Sequence, residues 1–236
     1  MSWLLIDVGN TRAKAVLFNE QGLGPVSAFP ESFQLPSDLQ GVLYASVASD
    51  ERIVELKAQS ALSHLPWRQV SSAAHAFGLH NSYAQPTTLG VDRWLAMLGA
   101  CTIKPLSELL VIDAGTAVTV DHVSAAGQHT GGWIVPGLRM QHKAVTQHTA
   151  KVFSREFDEA QLAFGQNTDQ CLKNGITAAI CGLIVQASKH RPNAHIFITG
   201  GDGEFLQRQL QAFEPDLLMD YDPWLIFRGM QRFVEN

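Results

Sequence analysis

Two aspartates stand at matching places in this chain. Asp7 lies in Leu4-Leu5-Ile6-Asp7-Val8-Gly9-Asn10-Thr11, and Asp113 in Leu110-Val111-Ile112-Asp113-Ala114-Gly115-Thr116. In each copy an apolar, β-prone run ends in Asp-x-Gly with a threonine close behind, and a second β-prone run follows. A carboxylate there offers a hard oxygen ligand to Mg²⁺ or another cation, often through water. Gly9 and Gly115 are expected to adopt a turn that a Cβ would hinder and to let a phosphate approach the backbone. Asn10, Thr11 and Thr116 add short hydrogen-bonding side chains. One Asp-x-Gly alone reads as a common hairpin turn. Two copies, each between β-prone runs, suggest two related lobes facing one ligand, with turn chemistry suited to a metal-bound polyphosphate.

The elements that must position these residues alternate between strands and helices, which points to an α/β protein. The first lobe opens with a hairpin over 3–18. Loops and a short strand follow over 22–36, then a strand over 42–47 and a helix over 51–62. A polar, turn-rich stretch from His75 to Leu89 leads into Gly90-Val91-Asp92-Arg93, and the spacing of Val91, Trp94, Leu95 and Leu98 predicts a helix over 91–103. The lobe boundary is expected at 105/106, giving lobes 1–105 and 106–236. The second lobe repeats the hairpin over 109–123 and adds a short glycine-bounded strand, Gly131 to Gly137. A helix capped by Asn167 or Thr168 runs through Ala187, a strand over 196–198 ends in Thr199-Gly200-Gly201, and a helix spans 205–213. Gly175, Ala178, Ala179 and Gly182 narrow one side of the long helix, so something is expected to pack close to its backbone there.

The 236 residues suffice for one large or two small domains, and the composition is that of an ordinary globular protein. The net charge of −5 leaves no basic footprint for nucleic acid. The N-terminus reads as a strand and not a signal peptide, and no stretch reads as long enough and apolar enough to span a bilayer. Cys101, Cys171 and Cys181 have no metal or redox spacing and fit reduced, buried thiols in a cytoplasmic protein. Neither a P-loop nor a dinucleotide fingerprint occurs. Asp92 and Arg93 at a helix start bring a potential proton acceptor and a cation to one place. In isolation they read as an N-terminal helix acid and a solvated arginine.

Taken in order, Asp7-Val8-Gly9-Asn10-Thr11, Gly90-Val91-Asp92-Arg93, Asp113-Ala114-Gly115-Thr116-Ala117, Gly131-Gly132-x-Ile134-x-Pro136-Gly137, Asn167-Thr168 and Thr199-Gly200-Gly201 resemble type III pantothenate kinase nearly end to end. The resemblance implies two related lobes of ribonuclease-H-like (actin-like ATPase) topology with the active site in the cleft between them. It implies a cytoplasmic homodimer that phosphorylates pantothenate with ATP, in the first step of coenzyme A synthesis. It also implies roles. Asp7, Val8, Gly9, Asn10, Thr11, Arg12, Ala13 and Lys14 would form the first phosphate loop, with Asp7 facing Mg²⁺-ATP. Thr116 would contact ATP from the second loop, and Asp113 would help hold a monovalent cation, K⁺ or NH₄⁺. Tyr83, Gly90, Val91, Asp92, Arg93 and Thr168 would surround pantothenate, with Asp92 as general base. No nucleic-acid or membrane partner is implied. Two other readings stay open: another kinase or phosphatase of the same superfamily, such as a sugar kinase, for whose inserted subdomains the chain has little room, and a non-catalytic accessory factor for transcription.

Overall fold

The computed structural model describes residues 2–30, 35–60, 62–148, 156–158 and 160–235. Its contacts divide the chain into two compact units. One comprises 1–106, 127–130 and 224–236; the other comprises 107–126 and 131–223. The break at Leu106/Ser107 falls one residue from the expected boundary. The terminal segment 224–236, however, packs in the first unit and not in the second lobe, where the sequence reading put it.

The first unit is built on β1 (Ser2–Val8), β2 (Ala13–Asn19), β3 (Gly22–Leu23), β4 (Ser27–Phe29), β5 (Leu39–Ser46) and β6 (Trp67–Gln69). The strand order is β3-β2-β1-β5-β6, with β4 also on β2. β1 runs antiparallel to β2 and parallel to β5, and β6 runs parallel to β5. Leu4, Leu5 and Ile6 are buried on both faces of β1, which is why that strand reads as a continuous apolar run rather than an alternating one. Helix α1 (Asp50–Gln59) connects β5 to β6 and buries Ile53 and Leu56. The short pair β7 (His75–Ala76) and β8 (Leu79–His80) precedes α2 (Val91–Ile103).

The second unit repeats this plan. β9 (Leu109–Ala114), β10 (Ala117–Val123), β11 (His129–Pro136), β12 (His195–Thr199) and β13 (Met219–Tyr221) lie in the order β11-β10-β9-β12-β13. Again the central strand is antiparallel to its hairpin partner and parallel to the strand that returns after helices. Here α3 (Leu138–His148) and α4 (Thr168–His190) separate β11 from β12, and α5 (Gly203–Phe213) joins β12 to β13. Ile112, Val118, Ile180, Ile184, Ile198, Leu206 and Leu210 form the core between this sheet and its helices. The same strand order twice is the duplicated ribonuclease-H-like topology that the family resemblance implies.

Two helices cross closely in the first unit. α6 (Leu225–Glu235) lies on α2, and each offers a glycine at the crossing. A Cβ on Gly99 would stand 2.0 Å from the Leu225 carbonyl oxygen, and one on Gly229 would stand 2.1 Å from that of Leu95. Backbone-to-backbone approach of this kind excludes any side chain larger than hydrogen.

The expected close approach along α4 is not found among the described residues. Gly175 and Gly182 would meet nothing if given a Cβ, and Ala178 and Ala179 are exposed. The opposite face of α4 is well buried. Lys173 lies there with its ammonium 2.6 Å from Asp158 and 3.1 Å from Asp169. Burial works against the lysine's charge, but the bonds to the two carboxylates outweigh it and hold its pKa above the ordinary 10.5. By length and composition α4 is apolar enough to cross a membrane, contrary to the sequence expectation, although Ile176, Ile180 and Ile184 on it belong to the core. The expectation of three buried thiols also fails for one of them. Cys181 is buried and Cys101 half-buried, but Cys171 is exposed.

Candidate active site

In the first unit the hairpin turn between β1 and β2 is closed by Gly9, whose N–H donates to the Arg12 carbonyl at 3.0 Å. Asp7 is half-buried at the end of β1, opposite Lys14 on β2 in the antiparallel register. Such a pair of opposite charges supports the hairpin across its strands. Asn10, Thr11 and Arg12 are exposed at the tip, between the partly buried Gly9 and the buried Val8 and Ala13. The second unit has the shorter counterpart: Gly115 N–H donates to the Ala117 carbonyl at 2.9 Å, Asp113 is half-buried and Thr116 is exposed. The positive φ expected at these glycines is not there. A Cβ on Gly9 would be tight, 3.2 Å from the Arg12 oxygen, but one on Gly115 would clear the Ala117 oxygen by 3.9 Å.

The glycine that does require its freedom is Gly200, in the turn after β12. Its φ is +92°, and a Cβ would stand 2.3 Å from the Ala114 carbonyl oxygen and 2.5 Å from Asp113 Oδ1. The Thr199-Gly200-Gly201 turn therefore lies directly on the Asp-x-Gly hairpin of its own unit. Asp202 N–H donates to the Ala114 carbonyl at 2.9 Å, which fixes the contact. A third loop joins them. Gly137 N–H donates to the Thr116 carbonyl at 2.9 Å, and Arg139 pairs with Asp202 at 2.5 Å. The motif blocks at 113–117, 131–137 and 199–201 thus meet in one cluster. Sequence reasoning missed Arg139 and Asp202; the Asp202-Gly203 step directly after the glycines was the available signal.

The acceptor motif also closes up. Gly90 precedes α2 as its cap, its carbonyl accepting the Trp94 N–H at 3.1 Å. Asp92 sits in the first turn and its Oδ1 accepts the Arg93 N–H at 2.8 Å. A Cβ on Gly90 would reach within 2.6 Å of that same oxygen, so the glycine makes room for the carboxylate. Arg93 is not a solvated arginine. It is 5 % exposed, its Nη1 donates to the Tyr83 hydroxyl at 3.0 Å, and its guanidinium lies 5.9 Å from the Tyr83 ring centre. Val91 is buried in the core face of the same helix. Tyr83, Asp92 and Arg93 are thereby brought together, a proton acceptor beside a cation held by a phenol. Thr168 lies in the second unit, exposed as the first residue of α4; Asn167 is the cap, its side chain accepting the Gln170 N–H at 2.9 Å.

Among the described residues no group of three or more His, Cys, Asp or Glu side chains forms a metal cluster. The oxygens present fit harder and looser ligation. Asp113 Oδ1 and the Ala114 carbonyl oxygen both stand close beside Gly200, two hard oxygen donors at one place.

The fold and these loops agree with what the chain is similar to. A solved activator of 2-hydroxyisocaproyl-CoA dehydratase from Clostridium difficile, determined with bound ADPNP, covers 100 % of this chain and 95 % of its own with a TM-score of 0.56. At 12 % identity it speaks for the fold alone. A protein from Campylobacter jejuni assigned to the Baf family of transcriptional activators is 26 % identical, with a TM-score of 0.64 over 98 % of this chain and 97 % of its own. A type III pantothenate kinase from Pseudoalteromonas translucida is 37 % identical over 235 residues, 98 % of this chain and 96 % of that protein. The family model for type III pantothenate kinase matches residues 3–190, spanning both hairpins, the Gly90–Arg93 motif and the start of α4. The chain belongs to the type III pantothenate kinase family.

Proposed function

We propose that this protein phosphorylates pantothenate with ATP to give 4'-phosphopantothenate, opening coenzyme A biosynthesis, and that Asp92 is its general base. The observation that carries the residue assignment is the buried Arg93, held by Tyr83 directly beside Asp92 at the start of α2. Pantothenate is an anion, and a planar guanidinium is the partner a carboxylate recognises best. The acceptor hydroxyl attacks the γ-phosphorus, the bond from that phosphorus to the β-phosphate oxygen breaks, ADP leaves, and the hydroxyl proton passes to the Asp92 carboxylate.

The nucleotide side rests on the paired turns. Asp7 to Lys14 form the first phosphate loop, and Thr116 contacts ATP from the second. Mg²⁺, when bound with ATP, neutralises phosphate charge, and Asp7 is the carboxylate placed to hold it. Asp113, with the oxygens beside Gly200, holds a monovalent cation, K⁺ or NH₄⁺. The protein works in the cytoplasm as a homodimer. In that dimer the exposed small-residue face of α4 meets its copy and Thr168 reaches pantothenate. The support for the dimer is the open space at Gly175 and Gly182 on a helix whose opposite face is buried.

An ADP-release assay tests the activity. Turnover with pantothenate, none with a panel of sugars, and dependence on K⁺ over Na⁺ are expected. Turnover with a sugar and none with pantothenate would overturn the substrate; equal rates in K⁺ and Na⁺ would overturn the role of Asp113.

A further inference from the structure

We propose that His129 is a positioning residue for the acceptor site, fixing the ring of Tyr83 and through it the guanidinium of Arg93. The proposal rests on the reading that Tyr83 and Arg93 hold the anionic acceptor. His129 is fully buried, at 0 % exposure, and belongs to a four-residue segment, 127–130, that packs in the first unit. That segment is firmly seated. Gly127 has φ +74°, and a Cβ there would stand 2.2 Å from the Gly78 carbonyl oxygen. Its own carbonyl accepts the His80 N–H at 2.9 Å, and Gln128 Nε2 donates to the His80 carbonyl at 3.4 Å.

From this seat the imidazole stacks on Tyr83, with ring centres 6.0 Å apart and planes inclined by 24°. Its Nδ1 shares a hydrogen bond of 3.1 Å with Ser82 Oγ. Tyr83 is then held at three points. Its N–H donates to Asn81 Oδ1 at 3.0 Å, and the Asn81 amide in turn donates to the carbonyls of Ala73 and Pro86. Its ring face lies on His129, and its hydroxyl accepts from Arg93. A swing of the ring about the Cα–Cβ bond would carry the hydroxyl away from the guanidinium, and a ring stacked on its face opposes that swing. A planar fork binds a carboxylate through two bonds only when its plane is fixed, and small misplacement of a binding group is costly. The role assigned to His129 is to restrain the Tyr83 ring, not to contact the acceptor.

The test is kinetic. His129→Ala should raise the pantothenate KM about tenfold while leaving the ATP KM unchanged and kcat nearly so. His129→Phe keeps a ring on Tyr83 but loses the Ser82 bond, and should give a smaller rise matched by Ser82→Ala. The deciding measurement is a double-mutant cycle. Because His129 acts through Tyr83, Tyr83→Ala with His129→Ala should be no worse than Tyr83→Ala alone. Multiplying effects, an unchanged pantothenate KM, or an equal rise in the ATP KM would each overturn the proposal. If His129→Ala does not fold, His129→Phe carries the same cycle. Arg93→Ala separates the two levels. An unchanged pantothenate KM in that variant sinks the acceptor reading itself. A raised KM there, with a normal one in His129→Ala, sinks only the role of His129.

Discussion

Asp92 spends one carboxylate oxygen on the Arg93 N–H, which fixes its direction without neutralising it. Asp92→Asn preserves that shape and removes the proton acceptor, so kcat should fall by roughly 10²–10⁴-fold with the pantothenate KM little changed. Near-normal turnover by the folded variant would remove Asp92 from the mechanism. If Arg93 holds the pantothenate carboxylate, Arg93→Ala deletes a charge-assisted bond worth about 1.5–3 kcal/mol and should weaken pantothenate roughly ten- to hundredfold, seen as KM. The cysteines differ sharply. Burial pushes the Cys101 thiol up to about 11 and the Cys181 thiol up to about 12, so both stay protonated and inert at neutral pH. Cys101 should become reactive only as pH rises toward its pKa. Cys171 is exposed, so a thiol reagent at neutral pH should modify that residue alone in dilute native protein. Mass spectrometry of the labelled chain checks it, and early labelling of Cys181 would contradict its burial. At this scale the sequence displayed the chemical types, Asp92 beside Arg93, but not their state. Arg93 is held by Tyr83, ten residues away, whose ring in turn stacks on His129, far along the chain. No local spacing encodes that meeting.

The elements that were legible are those whose burial is written as long apolar runs: β1, β5, β9, β12, α2 and the inner face of α4. The helix α3 was not, because only Leu138 and His142 on it are buried. The strands β6 and β13 are three residues each, too short to show a period. Glycines misled in both directions. Gly175 and Gly182 suggested close packing and face open space, whereas Gly99 and Gly229, which drew no notice, sit in the tightest helix crossing. Substitution separates the two kinds. In dilute, dissociated protein Gly175→Ala meets no described neighbour and removes helix-interior flexibility, so it should stabilise the protomer by about 0.5–1 kcal/mol. Gly99→Ala drives a methyl into the Leu225 carbonyl and should destabilise by about 1–3 kcal/mol or more. Urea unfolding of the two variants should move in opposite directions; a neutral Gly99→Ala would mean that α6 can slide on α2 without loss.

The whole molecule enters through association and through the path of the chain. If α4 meets its copy along Cys171, Gly175, Ala179 and Gly182, Cys171 should be labelled quickly in dilute protein and slowly at higher concentration. Gly182→Leu should abolish that protection, lower the sedimentation coefficient and raise the pantothenate KM together. Concentration-independent labelling with a monomeric sedimentation profile would reject the dimer. The discontinuity of the first unit has a consequence for how the protein is made. Its sheet and α2 emerge early from the ribosome, but α6, which seats α2 across Gly99 and Gly229, comes from 225–235. The segment 107–223, which holds all of the second unit, is synthesised before that seat exists. Order of synthesis and order of folding are therefore inverted: the unit begun first is completed last. A nascent chain halted after residue 223 should already protect the strands β9 to β13 from protease while α2 stays open to cleavage, and adding 224–236 should close α2 and create pantothenate binding in the same step.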